Sequence, residues 1–346
     1  LLHYIFKKKL KGGNMKHLFF KRSVVMVTIL LLAGAVLIFS GEDRITNNPS
    51  HSSVPMKIIP PIEPVQNVYN LETCTWYETI QDAVDAASFG HRLVIDASLL
   101  EENVVVNKSV MILGDLTMNH TVDGGISGPT FTITADGVVI RWLKITNDGG
   151  YAGIQIESNN NFICENEIYG CKKGISLSSG TSDNGLFKNE ITNSVMEGIY
   201  LYESSWNLIV GNTITGCPEN GEMGILLVDN SDNNTINANT VRDNNNGIFI
   251  SSSSNNVIYH NNFLDNYANA RMLGTCTGNH WYKGYLYGGN YWSDHTGNDY
   301  YFGPNQNLIG SDSSIVYIEF IDTAYYIING AYDRYPLKSQ WDINNY

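Results

Sequence analysis

The chain is 346 residues long and acidic, with 34 Asp and Glu against 21 Lys and Arg and a formal net charge of −13. The imbalance is concentrated: all 34 acidic residues follow Gly41, against 14 of the basic ones, so that part carries 20 net negative charges. This excludes nucleic acid and anionic lipid as natural partners, because phosphate binding needs clustered Lys and Arg, and a strongly anionic polysaccharide would need a bridging cation.

Lys11-Gly12-Gly13-Asn14 ahead of Met15 reads as a translated ribosome-binding site, which makes residues 1–14 a leader and Met15 the expected start. Residues 15–41 then run from basic (Lys16, Lys21, Arg22) to apolar between Val24 and Phe39. That is the layout of a signal peptide or an N-terminal membrane anchor, with the rest of the chain outside by the positive-inside rule. Residues 42–70 hold five of the nine prolines with scattered Ser and Asn, and read either as an extended linker or as a disordered leader.

Residues 79–87 (TIQDAVDAA) place Ile80, Ala83, Val84 and Ala87 on one helical face. A solenoid exposes its core at each open end, so this short helix is the candidate N-terminal cap. Degenerate coils follow at residues 104–106, 110–113 and 131–133.

From residue 138 to 266 one pattern returns six times. Its opening apolar residues are Ile140, Ile163, Leu186, Ile209, Ile236 and Ile258, at steps of 23, 23, 23, 27 and 22. A second apolar column runs through Ile145, Ile168, Ile191, Ile214, Val241 and Phe263, and a Gly-Ile step recurs at Gly153, Gly174, Gly198, Gly224 and Gly247. Apolar alternation with period two, cut by Asn, Asp, Gly and Ser turns, predicts short strands rather than helices. The expected fold is all-β, a right-handed parallel β-helix with three faces per coil, over residues 71–280. Between the columns lie Leu143, Asn166, Asn189, Asn212, Asn239 and Asn261. Coils about 4.8 Å apart would stack those amides into a buried ladder, and Leu143 in the first position argues that the slot faces inward.

The five cysteines follow no metal spacing. Cys171 and Cys217 share a slot two coils apart, roughly 10 Å, beyond disulfide reach. The tail, residues 281–346, is crowded with aromatics, including Trp281, Tyr282, Tyr291 and Trp292, and reads as a C-terminal capping segment.

Five places after the repeat glycine the coils carry Ser158, Ser179, Glu203, Asp229 and Ser252. Glu203 and Asp229 should therefore be neighbouring carboxylates, with Asp232 behind them. Tyr200, Tyr202 and Phe249 face outward on the same strand stack, as rings that can pack on sugars. One reading is a glycan groove whose carboxylates bind Ca²⁺ or act as acid and base. The plainer reading is an acidic edge beside covered aromatics, and Glu167 stacked on Glu190 shows that neighbouring acids are tolerated here.

The opening IQDAVDAASFGHRLVIDASLL resembles the start of pectin-lyase-like β-helix proteins. The turns NNFICENEIYG, NLIVGNTITG and NNVIYHNNFLDN, and the tail GGNYWSDHTGNDY with YDRYPL, resemble NosD-like or carbohydrate-binding and sugar-hydrolase repeat proteins of the archaeal surface type. The resemblance spans roughly residues 79–337. It departs where Asp312-Ser-Ser-Ile replaces a Gly-Asp-rich loop, which puts any cation held there in question. The resemblance implies a secreted or tethered, non-catalytic surface protein that binds glycan or serves as structure. The chain has no Asp-Asp pair, Gly-His-Gly, Arg-x-Lys or Asp-Pro-His-Glu of the related enzymes, although a polysaccharide lyase or hydrolase acting through Glu203 and Asp229 stays open. The NosD name also raises copper handling, but His260, His280 and His295 with Met272 and Cys276 lack ligand spacing.

Overall fold

The computed structural model describes residues 66–216, 223–296, 301–302, 308–309, 324–327, 329 and 331–342. The leader at 1–14, the hydrophobic segment at 15–41, most of the linker and Cys217 lie outside the described residues. No helix among the described residues is long and apolar enough to cross a membrane.

Each circuit of the chain gives one strand to each of three sheets. One coil is Phe162–Cys164, Glu167–Tyr169 and Lys173–Leu177, and the next is Gly185–Phe187, Glu190–Thr192 and Glu197–Tyr202. The sheets have ten, nine and eight strands. Apart from an antiparallel hairpin at the start, the main-array strands pair in parallel, a parallel β-solenoid of about eight turns. The predicted columns are the register. Ile140 through Ile258 pair coil to coil in the first sheet, and Ile145 through Phe263 in the second. All are buried.

The corner between these two sheets needs one residue in the left-handed region. Trp142, Glu165, Lys188, Gly211, Ala238 and His260 fill it with φ between 51° and 70°. The following residue then points inward. Asn166, Asn189, Asn212, Asn239 and Asn261 are fully buried. Each amide donates to the next, from Asn166 Nδ2 to Asn189 Oδ1 at 3.0 Å through Asn239 Nδ2 to Asn261 Oδ1 at 2.9 Å. Each Oδ1 also accepts a backbone N–H of the preceding coil, so turn amides that water cannot reach are satisfied. Leu143 opens the ladder and needs only its own N–H, which Asn166 Oδ1 accepts at 3.1 Å.

A second amide ladder lies at the corner between the third and first sheets, through Asn161, Asn184, Asn207, Asn234, Asn256 and Asn279. It recurs at steps of 23, 23, 27, 22 and 23, so its signal was present in the sequence. The glycine column has a different cause. A Cβ on Gly198 would meet the Gly224 carbonyl carbon at 3.6 Å and its oxygen at 2.7 Å, so the coils approach too closely there for any side chain.

At the N-terminal end the last residues of the segment read as linker, 42–70, are part of the fold. Val68–Asn70 is a strand, paired antiparallel with Thr75–Tyr77 on one side and Arg92–Ile95 on the other. The helix Ile80–Ala86 buries Ile80, Ala83 and Val84 on the predicted face, with the Thr79 side chain accepting from Asp82 N. Gln81 bonds both N–H (2.8 Å) and C=O (3.3 Å) of Val105, taking the place of a neighbouring strand at the edge of the third sheet. The Glu102 carboxylate accepts the N–H groups of Ile80 and Gln81 at the helix start, and burial raises its pKa.

At the other end Phe263, Trp292 and Tyr325 continue the core as a ring stack, with centroids 4.7 and 4.1 Å apart. The first ladder runs on through Asn290 and ends on Asp333, which is fully buried. Asp333 accepts Asn290 N at 2.6 Å, Trp292 Nε1 at 3.1 Å and Tyr335 N at 3.1 Å. Cys171 is buried as a free thiol whose pKa burial pushes up to about 12.

Candidate functional site

The outward side of the third sheet brings the predicted aromatic residues together. Gln155, Ser176, Tyr200, Leu226, Phe249 and Arg271 pair successively into one row, and Tyr202 lies in the next row beside Val228. The Tyr200 and Tyr202 rings are nearly parallel, at 7° and 6.5 Å.

The three rings are not equivalent. Lys173 Nζ sits 3.3 Å over the Tyr200 ring and 3.8 Å from Glu197, so one face of Tyr200 is already taken by a cation. Arg271 lies 5.6 Å from the Phe249 ring centre. Leu226 between them is only 7% exposed, which makes Tyr200 and Phe249 partly buried walls around an apolar floor. Burial, followed by the nearby carboxylates of Glu197 and Asp229, raises the Tyr200 hydroxyl pKa. Tyr202, at 37% exposure, is the ring open to solvent.

Glu203 and Asp229 directly follow the paired residues Tyr202 and Val228, so they occupy one slot on successive coils, as predicted. Both have left-handed φ, 46° and 50°. The Glu203 carboxylate accepts the hydroxyl of Ser179 on the coil before. Asp232 belongs to a different position. Its Oδ1 accepts Ser254 N at 2.6 Å and its own N–H donates to Ser205 Oγ at 3.0 Å, so it holds the turn toward the first sheet. Asp232 thus braces a turn, three residues on from Asp229.

A hollow of about 560 Å³, which sequence reading missed, lies at the corner between the second and third sheets, lined by Asp243, Asp265, Tyr267 and Asp294 among others. Two of its carboxylates are engaged: Arg242 Nε donates to Asp243 at 2.8 Å and Asn269 Nδ2 to Asp294 at 2.7 Å. Among the described residues no group of three or more His, Cys, Asp or Glu is placed to hold a metal ion.

The residues that raised copper are dispersed in role. His260 is 4% exposed, stacks on Trp341 at 3.5 Å and donates from Nε2 to the Tyr287 carbonyl; burial lowers its pKa to about 4. His280 is exposed on a bridge to Val257, His295 meets Tyr325 edge-on at 5.5 Å, and the Cys276 thiol bonds the Leu273 carbonyl.

Among solved structures the chain is similar to the enzymatically active domain of bacteriophage CBA120 tailspike protein 2, at 16% identity and TM-score 0.43 over 57% of this chain and 38% of that one. It is similar to a point mutant of the periplasmic alginate epimerase AlgG, at 23% identity and TM-score 0.35 over 49% of this chain and 39% of that one. The Azotobacter vinelandii mannuronan C-5 epimerase AlgE4 A-module also matches, at 12% identity and TM-score 0.31 over 56% of this chain and 75% of that module. The chain spans about two fifths of the first two of these proteins. It matches none of the curated proteins. Residues 93–297, almost the whole solenoid, match the family described as periplasmic copper-binding protein (NosD), and the chain belongs to that family.

Proposed function

We propose that this is a right-handed β-helix, closed by the Ile80–Ala86 helix at one end and the aromatic segment at the other, that acts outside the cytoplasm as a non-catalytic glycan-binding protein. The observation that supports this best is Tyr202, an open ring on a flat sheet face, bordered by the Ser179 hydroxyl and the Glu203 and Asp229 carboxylates. An aromatic face packs on the apolar side of a pyranose while neighbouring oxygens receive its hydroxyls. The non-catalytic reading rests on how little of an acid–base set is present. Asp232 bonds within a turn, and Glu203 and Asp229 lie side by side in one slot on successive coils.

The family description raises copper, and the donors here do not suit it. His260 is stacked and hydrogen-bonded, and the other candidate donors are spread through separate contacts. A lyase or hydrolase working through Glu203 and Asp229 is the second reading, favoured only by their adjacency.

Incubating the purified full-length chain with neutral and acidic polysaccharides, with and without Ca²⁺, separates these readings. Retention without new reducing ends or unsaturated products is expected. Tyr202→Ala should lose retention while keeping its melting temperature. Tyr200→Ala and Phe249→Ala should instead lower the melting temperature, since they wall a buried leucine. Released oligosaccharide that disappears in Glu203→Gln would replace the binding reading with the enzymatic one.

A further inference from the structure

Trp206 is the least explained side chain on the solenoid. It lies in the turn from the third sheet to the first, at φ 62°, in the left-handed region that a bulky residue avoids. The same slot on the other coils holds Asn160, Asp183, Asn233, Asn255 and Gly278, the residue types that adopt this conformation readily. Trp142 is the other left-handed tryptophan, and its reason is visible: it is 8% exposed, and its Nε1 donates to Glu165 at 2.6 Å. Trp206 has neither reason. Its side chain is 55% exposed, and its indole makes no hydrogen bond or ring contact among the described residues.

We propose that Trp206 is a sugar-stacking residue and that the glycan it takes is uncharged, a polymer of neutral or N-acetylated pyranoses. The inference rests on the glycan reading above and extends it around the corner from Tyr202. The neighbouring coils place Asp183 and Asn233 on either side of Trp206, about 4.8 Å away along the stack, which is the reach of hydroxyls on a ring lying over the indole. The adjoining slot carries Asn159, Ser182, Ser205, Asp232, Ser254 and Thr277. Neither column contains a Lys or Arg. Hydroxyl and amide groups around an open indole suit sugar hydroxyls, whereas Asp183 and Asp232 repel a polyuronate.

The test uses the full-length chain on affinity gels carrying β-glucan, N-acetylglucosamine oligomers or polygalacturonate. Trp206→Asn installs the residue type that neighbouring coils use, so its melting temperature should hold or rise. Its retention on a neutral or N-acetylated polymer should weaken roughly tenfold or more, and Trp206→Phe should keep most of it. Undiminished retention by Trp206→Asn, on a polymer that Tyr202→Ala no longer binds, overturns the role of Trp206 and leaves the binding reading standing. Stronger retention on polygalacturonate than on the neutral polymers overturns the substrate class. No retention of any polymer by the wild-type chain overturns both the inference and the reading beneath it.

Discussion

The combined contribution of two buried groups near the C-terminal end to the stability of the wild-type chain should change little between pH 4 and 6.5, because they titrate with opposite sign. Burial raises the Asp333 carboxyl from 3.8 to about 7, against the pull of the N–H donors from Asn290, Trp292 and Tyr335. The native state therefore holds a proton that the unfolded chain has lost. That contribution is complete below pH 3.8 and is lost as the pH rises through about 7. His260 runs the other way. Burial lowers it from 6.5 to about 4, with Lys283 acting in the same direction, so its contribution is complete above 6.5 and is lost as the pH falls through 4. Each effect is on the order of 3–4 kcal/mol over its window, and between pH 4 and 6.5 the two nearly cancel. The variants separate them. His260→Gln should lose stability steadily as the pH rises from 4 to 7, and Asp333→Asn should gain it from 4 to 6.5. Thermal melts of the three proteins across this range, read as slopes and not absolute values, check the assignment. Parallel slopes in all three would remove both groups from the account.

That pair also shows where sequence reading stopped. The apolar columns, the first Asn ladder and the helix face were legible because each obeys a local period, two within a strand and about 23 between coils. Asp333 obeys none. It meets Asn290 from 43 residues away, and nothing in the tail sequence marks it as the acceptor that ends the ladder. The site was legible in the same partial way. The spacing put Tyr200, Tyr202, Phe249, Glu203 and Asp229 on one stack, because register follows from period. It did not separate Tyr200, with Lys173 seated on its ring, from the open Tyr202, because that depends on where a flexible side chain comes to rest. Trp206 was recoverable from sequence: it is the one aromatic in a column otherwise made of Asn, Asp and Gly.

The largest single-residue effect is expected inside the first ladder, at Asn212. Its Oδ1 accepts both the backbone N–H and the Nδ2 of Asn189, at 2.9 Å each. Its Nδ2 donates to the Leu186 carbonyl and to Asn239 Oδ1, again at 2.9 Å. Four buried partners thus depend on one amide. Leucine at Leu143 is harmless because it stands at the start of the ladder, where no earlier ladder amide needs its side chain as acceptor. Leucine at 212 would take the acceptor from Asn189 N and from one Nδ2 hydrogen of Asn189, and the side-chain donor from the Leu186 carbonyl, while Asn239 Oδ1 keeps the backbone N–H of residue 212; the cost is about 1–3 kcal/mol for each group left unsatisfied. Aspartate keeps both acceptor bonds but turns an oxygen toward Leu186 O and Asn239 Oδ1, so its charged form is untenable and its protonated form can donate to only one of them. Asn212→Leu should therefore be destabilised equally at pH 4 and pH 7. Asn212→Asp should be the worse of the two at pH 7 and the better at pH 4, since acid supplies the missing donor. Denaturant melts of both variants at the two pH values decide it. An Asn212→Asp protein as stable at pH 7 as at pH 4 would mean that the carboxylate finds water or a cation, and that the slot is not the dry, donor-and-acceptor-matched site its hydrogen bonds describe.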